Sequence, residues 1–118
     1  MQQVNSFTIP YEIVDPLSPT ERFVYYELCR LAVRQNTLNE EFRIRIPKGS
    51  LITSTLRLSK ILDMAYSKTG VTLDVLADRS LIEMIPLETG SQVPTFFLIQ
   101  VKKELPPSPK KRKSLLDF

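Results

Sequence analysis

The stretch TSTLRLSKILDMAYSKTGVTLDVLADRSLIEMIP, Thr53 to Pro86, decides how this chain folds. In its first half Leu58, Ile61 and Leu62 recur at helical spacing behind the hydroxyls of Thr53, Ser54 and Thr55, which can cap a helix start. The spacing predicts a helix over about 54–64. In its second half Ser67 is placed to cap a helix carrying Val71, Leu73, Val75 and Leu76, and Arg79-Ser80 closes it, which predicts a helix over about 68–79. Only two or three residues join the two. LIEMIP then reads as a strand, TFFLIQV (Thr95 to Val101) as a second, and the intervening LETGSQVP suits a longish hairpin loop rather than a tight turn.

Upstream, LSPTE opens another helix. Ser18 can cap it, Pro19 fits the first helical position, and Glu21 can reach back to complete a capping box. Val24, Leu28, Leu31 and Ala32 share one stripe with Tyr25 and Cys29 beside it, so a helix is expected over 19–35, ending at Asn36. In EFRIRIPKGSLIT, Phe42, Ile44 and Ile46 alternate with Arg43 and Arg45, the period of a half-buried strand with one apolar and one cationic face. Lys48-Gly49 turns the chain into the helix pair. The expected core is Val24, Leu28, Leu31, Ile44, Ile46, Leu58, Ile61, Leu76, Ile82 and Phe97. The whole is α+β: helix, strand, helix, turn, helix, β-hairpin.

At 118 residues the chain suits a single small domain, and its 42% apolar and 25% charged residues are those of an ordinary globular protein. Cys29 is the only thiol, so neither a disulfide framework nor a cysteine metal cluster can be built. No run approaches the roughly 18 apolar residues of a membrane span, and MQQVNSF lacks the order of a secretory signal. An intracellular protein is expected, cytoplasmic and nucleoid-associated, or nuclear if eukaryotic. The net charge of +3 is uneven: Lys102, Lys103, Lys110, Lys111, Arg112 and Lys113 against Glu104 and Asp117 give residues 102–118 a charge of +4, leaving 1–101 at about −1. A near-neutral body with a basic end is expected of a domain that delegates attraction to polyanions to an arm. The expected division is a flexible N-terminus at 1–6, a folded unit at 7–101, and a basic, proline-rich, disordered tail at 102–118.

The order of elements is that of a winged helix, and several residues carry a resemblance beyond the order. IPKGSLITSTLRLSKIL resembles a segment of phage and plasmid replisome organisers and of the N-terminal domains of primosomal helicase-loading proteins of the DnaD type, through Lys48, Gly49, Ile52, Thr53, Ser54, Arg57, Leu58 and Ser59, with Ser67, Lys68, Leu81 and Ile82 further on. FTIPYEIVDPLSPTERFVYYEL is similar to the entry of plasmid and phage initiator domains, where a short extended segment precedes the first helix. The likeness covers about residues 7–101 and implies DNA as partner, with replication proteins such as a helicase or sliding clamp. Two departures stand out: the third helix is shorter than the family's, and it is more acidic.

If Leu73 and Leu76 face the core, Gly70, Asp74 and Asp78 fall on or near the outside, where the two carboxylates would meet phosphate with like charge. Such a helix is a poor base reader, and packing the core or meeting another protein is the alternative. DNA binding therefore rests on a distributed set: Arg43, Arg45 and Lys48 on strand and turn, Arg57 and Lys60 on the second helix, Lys68 on the third, and Lys110, Lys111, Arg112 and Lys113 in the tail. In PPSPKKRKSLLDF three prolines favour an extended chain, PKKRK resembles a nuclear-import signal, and Leu115, Leu116 and Phe118 form a short apolar peptide loosely similar to those that dock on bacterial sliding clamps. A solvated tail without partner is the plain alternative. Catalysis has little basis: there is no histidine, no serine in a nucleophile elbow and no glycine-rich phosphate loop, so no enzyme activity, cofactor or metal is expected. A protein-interaction module and a transcriptional repressor are the competing readings.

Overall fold

The computed structural model describes residues 9–87 and 96–102. The expected flexible segment 1–6, most of the hairpin loop and the tail from Lys103 onward lie outside the described residues. Pro10 leads into α1 (Tyr11–Val14), a single turn not anticipated from the extended reading of this stretch, which buries Ile13 and Val14 and delivers Leu17 into the same core. α2 (Pro19–Leu31) starts as its sequence dictates: Ser18 Oγ accepts from the Glu21 N–H at 3.2 Å and Glu21 Oε1 accepts from the Ser18 N–H at 3.0 Å. It ends four residues before the expected Gln35. Ala32 turns extended, and the next N–H, of Val33, leaves the helix for Ser50 O at 2.9 Å, so pairing with a later strand outcompetes another helical turn.

The strand expected at Phe42–Ile46 is shorter and has a partner that was not anticipated. β2 (Ile44–Ile46) pairs with β1 (Thr37–Asn39) in a separate two-stranded hairpin, and the turn between them puts Arg43 in the left-handed region at φ 59°. The Phe42 and Arg43 N–H groups donate to Asn39, to its side-chain and backbone oxygens respectively. Ile46 is buried, whereas Ile44, next to the turn, is 39% exposed and does not join the core as expected. The strand that enters the main sheet is β3 (Ser50–Ser54), reached through Gly49 at φ 84°.

α3 (Thr55–Leu62) is capped by Ser54 Oγ, which accepts from the Arg57 N–H at 3.0 Å. Its buried face is Leu58, Ser59 and Leu62. Ile61, expected inside, is 49% exposed, because Ser59 takes its place after satisfying its hydroxyl on Leu56 O at 2.7 Å. Asp63 closes α3 in the left-handed conformation, and α4 (Tyr66–Asp78) begins after a three-residue turn. Ala65 stands at its start without a side-chain cap, so Ser67 lies inside the helix and does not cap it as expected. Thr69 and Thr72 are buried beside Leu73 and Leu76, their hydroxyls donating to the carbonyls of Ala65 and Lys68 four residues back. The apolar Val71 is 63% exposed.

β4 (Ile82–Pro86) and β5 (Phe96–Val101) pair antiparallel as the expected hairpin, but β5 is also antiparallel to β3, so the three-stranded sheet has the order β3-β5-β4. Leu51, Ile99 and Met84 form one cross-strand row against the helices, with Ile99 fully buried; Ile52, Leu98 and Ile85 form the row on the opposite face. The last described residue is Lys102. Its N–H donates to Leu81 O at 2.8 Å, and its carbonyl accepts from the buried Tyr25 hydroxyl. Burial, with Cys29 and Tyr26 nearby, pushes the Tyr25 phenol well above its usual value and keeps it a neutral donor. Of the expected core, Val24, Leu28, Ile46, Leu58, Leu76 and Ile82 are buried, and Leu31 and Phe97 are partly buried against it.

These exposures give two substitutions opposite outcomes. Leu28→Ala should cost about 2–5 kcal/mol of unfolding free energy, and Ile61→Ala below about 1 kcal/mol, read as denaturation midpoints at constant slope.

Candidate nucleic-acid interface

The expected cations fall into separate places. Arg43 and Arg45 are exposed on the β1–β2 hairpin, and Lys48 is exposed on the turn after it, its N–H held by Asn36 Oδ1 at 2.9 Å. Lys60 and Lys68 are exposed on α3 and α4.

Arg57 is engaged. Its two terminal nitrogens donate to the two carboxylate oxygens of Glu41 at 3.0 Å each, and its guanidinium carbon lies 4.8 Å from the centre of the Phe96 ring, which packs in turn on Phe42 at 4.9 Å. This cluster ties the β1–β2 turn to the start of α3 and to β5. The hydrogen bonds from Arg57 hold the Glu41 carboxyl below its ordinary range, and Glu41 in turn raises Arg57. A guanidinium so occupied has little left to offer a phosphate.

The fold brings together cations that lie far apart along the chain. Val33 exchanges hydrogen bonds with Gly49 and Ser50, the Val101 N–H donates to Gly49 O, and Lys102 bonds Leu81. One end of the sheet therefore collects the exposed Arg34, Lys48, Arg79 and Lys102 from four distant stretches, and it is the end from which the chain leaves toward its basic tail. Lys102 is shared with Glu83, Nζ to Oε1 at 3.7 Å. No sequence pattern announces this grouping, because Arg34, Lys48 and Lys102 owe their places to backbone pairings of long separation, while Arg79 is the C-cap of α4, two residues before Leu81.

α4 presents a different surface. Leu73 and Leu76 are buried, and Asp74 and Asp78 are exposed, as the helical phase predicts. Beside this acidic ridge runs an open groove of about 340 Å³ between α4 and the start of α2, lined by Ser18, Glu21, Lys68, Val71, Thr72 and Val75 among others. Among the described residues no cluster of His, Cys, Asp or Glu is placed to hold a metal ion, and no helix is long and apolar enough to cross a membrane. Lys110, Lys111, Arg112, Lys113, Leu115, Leu116 and Phe118 lie outside the described residues. No protein-family model, no curated protein and no solved structure matches the chain.

The Arg57–Glu41 pair has a pH signature. A carboxyl held below its ordinary value stabilises the fold above that value, and the contribution disappears as pH falls through the lowered one. Glu41→Gln should therefore melt slightly below the native chain at neutral pH, and the difference should close as the pH drops below 4.5, the ordinary value, in melting curves taken across the acid range.

Proposed function

We propose that the chain is a non-enzymatic DNA-binding protein of winged-helix architecture, acting in replication initiation or replisome organisation of a phage, plasmid or mobile element. The observation that carries the architecture is the sheet order β3-β5-β4 with α3 and α4 inserted between β3 and β4, the connectivity of a helix-turn-helix followed by a wing hairpin. The replication role draws its support from the resemblance of the stretch around Lys48–Ser59. DNA is held here by phosphate contacts rather than by base reading, since α4 turns Asp74 and Asp78 outward, while Arg43, Arg45, Lys48, Arg34 and Arg79 are exposed elsewhere.

A second reading, a module that docks another replication protein, is favoured by the acidic ridge and apolar groove of α4. Mobility shift with single-stranded, random duplex and cognate-region DNA separates the two. Absence of any shift at low salt leaves the docking module, whereas tight binding confined to a palindrome identifies a repressor.

In the DNA reading the tail supplies much of the attraction. Neutralising Lys110, Lys111, Arg112 and Lys113 together should flatten the dependence of log affinity on log salt by up to about 3, at roughly 0.7–0.9 per phosphate contact, and by the same amount for every DNA sequence. Replacing Asp74 and Asp78 with alanine should leave affinity unchanged or raise it. Loss of sequence discrimination in that double variant would show that the carboxylates contact bases.

A further inference from the structure

The outer face of α4 combines three chemistries. From its C-terminal end come Asp78, Val75, Asp74 and Val71, two exposed acids interleaved with the apolar floor of the groove, and then Lys68, the one cation among the groove-lining residues, with Glu21 of α2 across from them. At 1.5 Å per residue this series spans about 15 Å. Val71 is 63% exposed, and Tyr66 on the same helix 60%.

The chain's own tail carries the complementary series. PKKRKSLLDF presents four cations at 110–113, then Leu115 and Leu116, then Asp117. Its root is fixed beside the correct end of the helix: Leu81 follows α4 by three residues, and its carbonyl accepts from the Lys102 N–H. Seven residues, 103–109, separate that root from Lys110 and can span roughly 23 Å when extended, more than the roughly 10 Å that three residues can place between Leu81 and Asp78. A chain starting there and running toward the N-terminus of α4 brings its cations first, at the end that carries Asp78 and Asp74, and its leucines and carboxylate after them, toward Val71 and Lys68, without a reversal. The body at about −1 and the tail at +4 attract each other overall.

We propose that residues 110–118 dock in cis on the outer face of α4, with Lys110–Lys113 on the Asp74–Asp78 ridge and Leu115 and Leu116 in the Val71–Val75 groove. The site is a peptide-binding groove and its occupant is the protein's own tail. The inference stands apart from the DNA reading, because its test contains no DNA.

The test is paramagnetic broadening in the full chain. A nitroxide on Ser114→Cys is read through the backbone amides; Cys29 is buried, and the chain without the new cysteine serves as labelling control. The labelled chain is isotopically enriched and diluted tenfold into unenriched, unlabelled chain, so that only intramolecular proximity counts. Amides from 68 to 78 should lose more than half their intensity, and they should recover in Asp74→Asn/Asp78→Asn and in Val71→Ser, both at exposed positions that leave the core intact. Uniform weak broadening over the whole surface, or broadening centred on the β1–β2 hairpin, overturns the proposal. Broadening that appears only when a labelled, unenriched chain is mixed with an enriched, unlabelled one assigns the groove to a second copy and overturns docking in cis.

Discussion

The structure depends on where β5 sits. It is the last strand in the sequence and the middle strand of the sheet, so β3 and β4 have no sheet partner until Phe96–Val101 lies between them. The register Ser50↔Gln100 closes about half the chain into one loop, an entropic cost that local contacts cannot offset. Ile99, fully buried at the centre with Leu51 and Met84 on either side, supplies the compensating burial. The helices follow from this: α2 stops where Val33 is claimed by Ser50, and the tail's root is fixed where β5 ends against Tyr25 and Leu81.

Much of this was legible in the residues, and the failures have physical causes. The start of α2 was legible because a capping box is a local interaction among four residues, and the helix pair and hairpin because their periods differ. β3 was not: SLITS is rich in hydroxyls that read as caps, and a strand buried on both sides of its sheet need not alternate. The phase of α3 was read from apolar residues alone, whereas Ser59 enters the core by returning its hydroxyl to the helix backbone, leaving Ile61 outside; in α4 Leu73 and Leu76 face the core as expected, and Thr69 and Thr72 join them by the same device. Arg43 could not be placed from an alternation that its own left-handed conformation interrupts.

The candidate site was the least legible part, because charge is a property of a surface and surfaces are assembled by long-range pairing. Arg57 counted as one cation among several in the sequence; in the fold its charge is shared with Glu41 and set against an aromatic ring. Arg34 and Arg79 carried no signal at all, yet they stand at the same end of the sheet as Lys48 and Lys102. The acidic character of α4, by contrast, survives into the structure unchanged, since an i, i+4 pair of carboxylates stays on one side of any helix.

The clamp on Lys102 has a consequence for how the protein divides its attention. A peptide tethered through seven residues to a point held by Tyr25 and Leu81 has an effective concentration around the domain on the order of millimolar. If residues 110–118 dock on α4 as proposed, a contact far too weak to survive between separate molecules would be half occupied within one. An outside polyanion or partner would then have to exceed that internal competitor, and the root would set the concentration at which it does.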